Sequence, residues 1–373
     1  MKKIRVGDAC EILNGYAFKS EKYVASGIRV IRIANVQKGY VEDTDPAFYP
    51  EDYLGIDKYM LKEGDLLMSL TGNVGRVAIL QKEMLPAALN QRVACLRIKN
   101  SGLSKGYLFH FLNSDYFENK CIHASKGVAQ KNMSTEWLKE YEIPLYPKEE
   151  QTEIENILDK LSLIIIHRKE ELNQLDNLIK ARFVEMFGDP VSNSYGFVEA
   201  TLPELGEFGR GVSKHRPRND PSLLGGIYPL IQTGDVANSE LYITSYNSTY
   251  SELGLKQSKM WGKGTLCITI AANIAKTAIL GIDACFPDSI VGFNANEKTS
   301  NIFIHFWFSF FQEILESQAP ESAQKNINLK VLSELKVIVP EKDRQDEFVE
   351  FINQVNKSKV VSQHTTSNPY IQN

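Results

Sequence analysis

Short polar segments that occur twice in the chain carry residue types able to bind the edges of nucleic-acid bases. Asn, Gln and Arg can each form two hydrogen bonds with adenine or guanine, and Lys can contact phosphate. Glycines beside them allow a close approach of the backbone. The candidates are Asn73, Arg76, Asn90, Gln91, Arg92, Lys126, Gln130 and Lys131 in the first half, and Asn273, Lys276, Ser289, Gln324 and Lys325 in the second.

A fourth segment is strongly basic in the second half only. Arg210, Lys214, Arg216 and Arg218 place four fixed positive charges within nine residues, which suits contact with phosphate or a DNA groove. The first half has Asn14-Gly-Tyr-Ala-Phe-Lys19 at the same place, with Lys19 as its candidate. Two domains that recognise different sequences would differ in this way while sharing a scaffold.

These candidates also have purely structural explanations, which the sequence leaves open. A polar side chain in a turn or at a helix end often serves only the local backbone. The alternatives are Asx-turns for Asn73 and Asn273, helix caps for Gln130 and Gln324, and solvated surface charges for Arg76, Lys276 and the basic segment.

The two halves align with each other. At an offset of 200, the segment from Thr71 to Leu80 matches the segment from Ala271 to Leu280, and both end in Ala-Ile-Leu. At an offset of 194, Gln-Lys-Asn-Met matches Gln-Lys-Asn-Ile, and a Pro-led acidic segment follows in both halves. Several matches in the same order indicate a duplicated unit, a globular domain followed by a helix.

The helix after the first domain is long and amphipathic. Pro147 precedes it, acidic residues fill its first turns, and Gly188 and Pro190 end it, which predicts about 40 residues or roughly 60 Å of helix. Its apolar positions follow a heptad-like spacing that favours packing against another helix. A weaker repeat follows the second domain. The predicted seam consists of Ile154, Leu158, Leu161, Ile165, Leu172, Leu175 and Ile179, with Phe348, Ile352 and Val355 on the second helix.

Short apolar and β-branched runs bounded by turn residues predict mixed α/β domains with a mainly β core. The predicted organisation is a domain over 1–146, a spacer helix over 147–190, a second domain over 191–340, a short second helix over 341–362, and a disordered tail over 363–373.

Composition narrows the functional classes. A formal charge of −4 means that any contact with DNA must rest on local patches or on a partner. The N-terminus resembles no signal peptide and no run could span a membrane, so we expect a cytoplasmic protein. Five scattered cysteines predict reduced thiols rather than a metal site. No complete phosphate loop, nucleophile elbow or methyltransferase motif is present, so we expect no catalytic centre.

The order of the motifs resembles the specificity subunits of type I restriction-modification systems. Gly-Asp-Leu-Leu, Gly-Asn-x-Gly, Asn-Gln-Arg and Gln-Lys-Asn precede a helix that starts Pro-x-x-Glu-Gln-x-x-Ile. The second half has counterparts in the same order, among which Gln-Lys-Asn and the proline before the helix are identical. The resemblance implies two target recognition domains, each recognising half of a split site in double-stranded DNA. It also implies that the long helices pack as an antiparallel coiled coil. The early end of the second helix departs from the family, whose two helices are usually of comparable length.

The resemblance further implies that the chain has no activity alone. It would serve an adenine DNA methyltransferase or restriction endonuclease complex by docking two methyltransferase subunits, together with restriction or translocase subunits where the system restricts. S-adenosylmethionine, ATP and Mg²⁺ would then bind those partners. Two rival hypotheses remain: a coiled-coil scaffold without DNA recognition, and a self-contained methylase or nuclease.

Overall fold

The computed structural model describes residues 2–125, 132–271, 274–318, 327 and 329–364. The chain divides into two compact units, Met1–Ile166 and His167–Asn373. The boundary falls within the long helix and not at either of its ends, so each unit contains part of that helix.

The described residues of unit 1 form three sheets. Strands β2, β8, β5 and β6 form a four-stranded antiparallel sheet, β4, β3 and β7 form a second sheet, and β1 pairs with β9. The strands are β1 (Lys3–Arg5), β2 (Cys10–Asn14), β3 (Ile28–Ile31), β4 (Phe48–Tyr49), β5 (Leu66–Ser69), β6 (Val77–Ile79), β7 (Ala87–Leu89), β8 (Val93–Ile98) and β9 (Glu142–Pro144). The helices are α1 (Val6–Ala9), α2 (Lys105–Leu112), α3 (Asp115–Ala124), α4 (Thr135–Glu140) and α5 (Lys148–Phe187).

Unit 2 repeats this plan with small additions. Strands β11, β19, β16, β17 and β13 form one sheet, β14, β12, β18 and β15 form another, and β10 pairs with β20. The strands are β10 (Glu199–Thr201), β11 (Gly206–Arg210), β12 (Leu224–Leu230), β13 (Tyr242–Ile243), β14 (Ser248–Tyr250), β15 (Met260–Trp261), β16 (Leu266–Thr269), β17 (Thr277–Leu280), β18 (Ala284–Cys285), β19 (Ile290–Ala295) and β20 (Lys336–Ile338). The helices are α6 (Leu202–Leu205), α7 (Thr233–Ala237), α8 (Glu252–Lys256), α9 (Asn301–Gln318), α10 (Leu329–Glu334) and α11 (Lys342–His364).

Strand pairing confirms the predicted duplication. In each unit the first strand pairs antiparallel with the last. The second sheet of each unit contains one parallel pair, β3 with β7 in unit 1 and β12 with β18 in unit 2. The central strands β5 and β16 are buried along their whole length, because helices cover one face of each main sheet and the second sheet's residues cover the other. The mixed α/β fold with a mainly β core is therefore confirmed.

A buried glutamine ties the start of α5 to unit 1. The Gln151 side chain is fully buried, and its Nε2 donates to the carbonyls of Gly102 and Tyr146, both at 2.8 Å. Its Oε1 accepts from the backbone N–H of Ser104 at 2.8 Å. Both N–H donors of the amide and its oxygen are thereby hydrogen-bonded to unit 1. These contacts fix the orientation of the helix on its own unit.

Unit 2 repeats this device at Gln345 on α11. Its Nε2 donates to the carbonyls of Lys298 and Pro340, both at 2.9 Å, and its Oε1 accepts from the Thr299 hydroxyl at 2.9 Å. Gln345 is also fully buried. The offset of 194 between Gln151 and Gln345 equals the offset of the sequence repeat, so the two glutamines are equivalent.

Within unit 2, α11 packs antiparallel to the C-terminal part of α5. Arg182 forms an ion pair with Glu347 at 2.9 Å, and the rings of Phe183 and Phe348 are 5.3 Å apart. None of the helices within the described residues combines the length and apolar character that a membrane crossing requires. The five cysteines are buried free thiols.

Candidate nucleic-acid interface

The first group of predicted residues lies at one end of the main sheet of unit 1. Strands β2 and β5 finish at this end, and β6 and β8 begin there, because neighbouring strands run antiparallel. We call it the turn end of unit 1, comprising residues 14–15, 70–76 and 90–92. Loops at one end of a rigid sheet are well placed to carry a binding site.

Ser69 fixes the shape of the turn that contains Asn73 and Arg76. Its backbone N–H donates to the Arg76 carbonyl at 3.0 Å, and its Oγ accepts from the Arg76 N–H at 3.1 Å. Gly75 has a φ of +83°, a conformation that glycine adopts without steric cost. Asn73 is exposed, whereas Arg76 is half-buried and its Nη1 donates to Gln37. The Asn73 side chain is therefore presented to solvent, and Arg76 is held against its own unit.

The neighbouring segment divides into one structural residue and two exposed ones. Asn90 is buried, and its Oδ1 accepts from the Arg92 N–H at 3.2 Å. A Cβ at Gly15 would lie 2.2 Å from the Asn90 carbonyl oxygen, so only glycine fits there. Gln91 and Arg92 are exposed. Asn90 thus shapes the turn, while Gln91 and Arg92 are available for binding.

Unit 2 has the same turn with different residues. Thr269 donates from its N–H to the Lys276 carbonyl at 2.9 Å and accepts from the Lys276 N–H at 3.0 Å, as Ser69 does with Arg76. Ala275 stands where unit 1 has Gly75, and its φ of +56° is unusual for a residue with a Cβ. The turn end of unit 2 comprises residues 210–211, 270–271, 274–276 and 287–289.

Lys276 does not join the basic residues at this end. Its Nζ donates to the Gln312 Oε1 at 3.1 Å and lines a cavity of about 320 Å³ together with Asp176 and His305. Burial, followed by the nearby charge of Lys359, lowers the pKa of His305 to about 4. The interpretation of Lys276 as a base or phosphate contact remains a prediction, and the structure shows an internal partner for it.

The basic segment surrounds Asp288. Arg218 forms an ion pair with Asp288, and Arg216 reaches the same carboxylate at 3.4 Å. Arg210, Arg218, Asp288 and Ser289 together line a cavity of about 240 Å³. Lys214 is exposed. The structure therefore brings Arg216 and Arg218 to one carboxylate, and Arg210 lines the cavity beside it, at the end of the sheet where Ser289 lies.

Two residues that support this loop escaped sequence reasoning. The Gln257 Oε1 accepts from the backbone N–H groups of Lys214 and His215, at 2.7 and 3.1 Å. Asp220 contacts His215 at 3.2 Å, and hydrogen bonds from Ser222 and then His215 lower the pKa of its carboxyl. Gln257 lies more than 40 residues from the loop, so no local sequence signal could have indicated its role.

A cluster of tyrosines beside the turn end of unit 1 was also missed. The Tyr16 carbonyl accepts from the Gln91 N–H at 2.9 Å, and the Tyr16 and Tyr53 hydroxyls are 3.4 Å apart. Lys22 lies over the Tyr53 ring, 4.9 Å from its centroid. Hydrogen bonds from Tyr16 and then Lys22 lower the pKa of Tyr53. Lys19 is exposed on the same segment, and its backbone N–H donates to the Tyr49 hydroxyl at 3.0 Å.

Six predicted residues lie outside the described residues, so their positions stay predictions. The segments that follow some of them show the same frame in both units: the Met133 N–H donates to the Leu70 carbonyl at 2.8 Å, and the Ile327 N–H donates to the Ile270 carbonyl at 2.9 Å. The six are Lys126, Gln130, Lys131, Asn273, Gln324 and Lys325.

Comparison with known proteins identifies the family to which the two repeated units belong. The model of a family described as the type I restriction modification DNA specificity domain matches residues 1–177 and 196–368. The chain belongs to this family. The match extends over both units and includes the larger part of α5 and all of α11, so the resemblance predicted from the motif order is confirmed.

Named relatives are specificity subunits of type I restriction enzymes. The chain is 35% identical to the EcoAI subunit of Escherichia coli over 162 residues, which are 42% of this chain and 27% of that subunit. It is 29% identical to the MjaVIII subunit of Methanocaldococcus jannaschii over 184 residues, 48% of this chain and 43% of that subunit. The chain thus matches less than half the length of these two relatives. The EcoBI subunit of Escherichia coli matches at 24% identity over 95% of this chain and 78% of its own length.

Solved structures show the same fold. The type I restriction-modification S subunit from M. genitalium superposes with a TM-score of 0.55 at 16% identity, covering 98% of this chain and 92% of its own. A chain from a structure of a type I R-M system, solved to explain complex assembly and conformational transition, gives a TM-score of 0.54 at 15% identity, covering 98% and 93%. The duplicated domains joined by long helices therefore agree with the architecture of the family.

The predicted helix seam of this family member is only partly exposed. Ile154 and Leu175 pack against the cores of units 1 and 2 respectively, and Leu158 and Leu172 are half-buried. By contrast, Leu161 and Ile165 are each 49% exposed. The remaining seam residues are buried in the core of unit 2, where they hold α5 and α11 together: Ile179, Phe348, Ile352 and Val355.

Proposed function

We propose that this chain is the DNA-specificity subunit of a type I restriction-modification complex. Each unit would act as a target recognition domain and bind one half of a bipartite site in double-stranded DNA. The observation that carries the proposal is the pair of turn ends, in which the same backbone hydrogen bonds present different exposed side chains. Two turn ends with the same backbone structure and different exposed side chains suit two recognition sites with different target sequences.

The charge distribution supports contact with DNA at these ends. The whole chain has a formal charge of −4, so strong nonspecific binding by the isolated chain is not expected. Arg210, Lys214, Arg216 and Arg218 nevertheless place four positive charges in one segment of unit 2, against the carboxylates of Asp220 and Asp288. A local patch of this kind attracts phosphate even on an acidic protein.

Catalysis would belong to partner subunits. Two methyltransferase subunits would bind S-adenosylmethionine and methylate adenine, and in a restricting system the restriction subunits would bind ATP and Mg²⁺. A run of exposed apolar side chains on α5 supports partner docking, because contiguous exposed apolar surface commonly marks protein contacts. Each is 49–53% exposed: Ile157, Leu161, Leu163, Ile164, Ile165 and Ile166. The cytoplasm, where chromosomal DNA lies in a bacterial or archaeal cell, would be its location.

The test is co-expression of the full chain with a type I methyltransferase subunit, followed by sequencing of methylated adenines in the host DNA. We expect one bipartite motif with a fixed spacer. Lys214→Ala should weaken DNA binding by the assembled complex. The slope of the logarithm of the binding constant against the logarithm of the salt concentration should become shallower by roughly 0.9, which is the contribution of one neutralised phosphate.

Lys263→Ala is the matched control, because Lys263 is exposed at the opposite end of the same sheet, before β16. It should leave binding unchanged. A complex that forms but shows no salt-dependent DNA binding would contradict the proposal and favour a scaffold. Methylation by the purified chain without a partner would favour a self-contained methylase.

A further inference from the structure

Strand registers identify the residues that occupy the same position in the two turn ends. In unit 1, Ser69 pairs with Val93 and Asn14 pairs with the next residue, Ala94. In unit 2, Thr269 pairs with Ile290 and Arg210 pairs with the next residue, Val291. Since Ser69 and Thr269 form the same turn, Asn14 and Arg210 are equivalent. The glycines that follow them, Gly15 and Gly211, confirm this equivalence.

Both glycines lie against the backbone of the neighbouring segment. A Cβ at Gly211 would lie 2.3 Å from the Phe286 carbonyl oxygen and 2.4 Å from that of Pro287, as a Cβ at Gly15 would collide with Asn90. This close approach places the preceding side chain beside a turn, Asn14 beside the exposed turn 91–92 and Arg210 beside the half-buried turn 288–289. In each unit, the last side chain of one strand, Asn14 of β2 or Arg210 of β11, therefore lies next to a turn at the sheet end.

In unit 2 this position carries an arginine that is available for a ligand. Arg210 is exposed, and within the described part of the chain its guanidinium has no hydrogen-bond or ion-pair partner. Arg218, which lines the same cavity, is by contrast engaged by Asp288. The cavity of about 240 Å³ between them offers donors from Arg210 and a carboxylate that two arginines already neutralise.

In unit 1 the same position carries an amide. Asn14 is exposed, as is Gln91 on the adjacent turn, and the described residues provide no hydrogen-bond partner for either side-chain amide. Each amide offers one acceptor and a pair of donors. Unit 1 thus presents amides where unit 2 presents a guanidinium.

We propose that Arg210 recognises a guanine in one half-site and that Asn14 recognises an adenine in the other. The proposal rests on the proposed function and specifies its chemistry. A guanidinium donates two hydrogen bonds to guanine O6 and N7, which no other base offers as a pair of acceptors in the major groove. An asparagine amide accepts from adenine N6 and donates to N7. This equivalent position carries a neutral amide in unit 1 and a guanidinium in unit 2, and it would thereby distinguish the two half-sites.

The experiment compares the methylated motif and the DNA affinity of the assembled complex for the wild-type chain, Arg210→Lys, Arg210→Ala and Asn14→Ala, with Lys263→Ala as the control. Lysine keeps the charge but loses the bidentate geometry. We expect Arg210→Lys to relax one guanine position of one half-site by about tenfold or more, the scale of a lost bidentate contact. Asn14→Ala should relax one adenine position in the other half-site only, and Lys263→Ala should leave the motif unchanged.

The outcomes separate this inference from the function on which it rests. A bipartite motif that Arg210→Lys and Arg210→Ala both leave unchanged would overturn the assignment while the proposed function stands. So would an Arg210→Ala complex that only loses affinity in a salt-dependent way, because Arg210 would then contact phosphate. A relaxed position that is not a guanine would also overturn it. Absence of any bipartite methylation by the wild-type complex would overturn both proposals.

Discussion

Replacing Gln345 with leucine should weaken the packing of α11 on unit 2. The side chain is fully buried and makes three hydrogen bonds of 2.9 Å, to the Lys298 and Pro340 carbonyls and from the Thr299 hydroxyl. Leucine has a similar volume, so the change removes polar contacts without opening a large cavity. At about 1 kcal/mol net for each bond the loss is about 3 kcal/mol, and buried partners left unsatisfied raise it towards about 5 kcal/mol.

Native-state hydrogen exchange measured by mass spectrometry is the assay, because it reports the opening free energy of α11 separately from the rest of the chain. The amides of the first turns of α11 should lose about 3 kcal/mol of protection in the Gln345→Leu chain. Gln151→Leu should produce the same loss at the start of α5, since Gln151 has the equivalent three contacts in unit 1. Gln174→Leu, at an exposed position of α5, is the control.

A loss below about 1 kcal/mol in the Gln345→Leu chain would refute this reasoning, because one ordinary hydrogen bond is worth that much. Thr299→Val added to Gln345→Leu should recover part of the loss. The valine removes a buried hydroxyl that would otherwise have no partner, and removing both members of a hydrogen bond costs less than removing one. Failure of this recovery would show that Thr299 finds another partner.

Three further predictions concern stability. Ala275→Gly should stabilise unit 2 by about 0.5 kcal/mol, because the φ of +56° costs a residue with a Cβ more than glycine's extra backbone entropy. Gly75→Ala should destabilise unit 1 by more than about 1 kcal/mol, since its φ is +83° and the new Cβ would lie 2.8 Å from the Cβ of Cys121; denaturant titration measures both. The pKa of His305 is lowered from 6.5 to about 4, so the unfolded chain takes up a proton first and stability should fall as pH drops from 6.5 towards 4. The fall should stay below the roughly 3 kcal/mol of the full shift, because His305 lines a cavity, and His305→Asn should flatten it while keeping a partner for Thr277. An unchanged pH dependence in that variant would contradict the assignment.

The sequence predicted the plan of the molecule because its signals are local or periodic. The heptad-like spacing and the flanking Pro147 and Gly188 predicted a helix that the structure places at Lys148–Phe187. The offset between the halves predicted two units with the same fold, and the matching strand registers confirm it. The second helix extends over Lys342–His364 in the structure, close to the predicted 341–362.

Side-chain partners were less predictable, because they depend on residues distant in sequence. Arg76 and Lys276 align in sequence, yet Arg76 contacts Gln37 and Lys276 contacts Gln312, which lie in unrelated elements. Asp288 stood beside a predicted residue, but its two arginine partners lie about 70 positions away. Gln151 belongs to the motif that predicted the start of α5, but the sequence did not indicate that its amide is buried.

The backbone contacts around Gly15 and Gly211 have an evolutionary consequence. They are made by glycine with main-chain atoms and, at Gly211, also with the Phe286 ring, whereas the neighbouring Asn14 and Arg210 are exposed at the sheet end. Exposed substitutions of this kind usually change stability by less than about 0.5 kcal/mol. A lineage can therefore exchange these side chains one at a time without passing through an unfolded intermediate, so that its preferred target can drift while the architecture stays fixed.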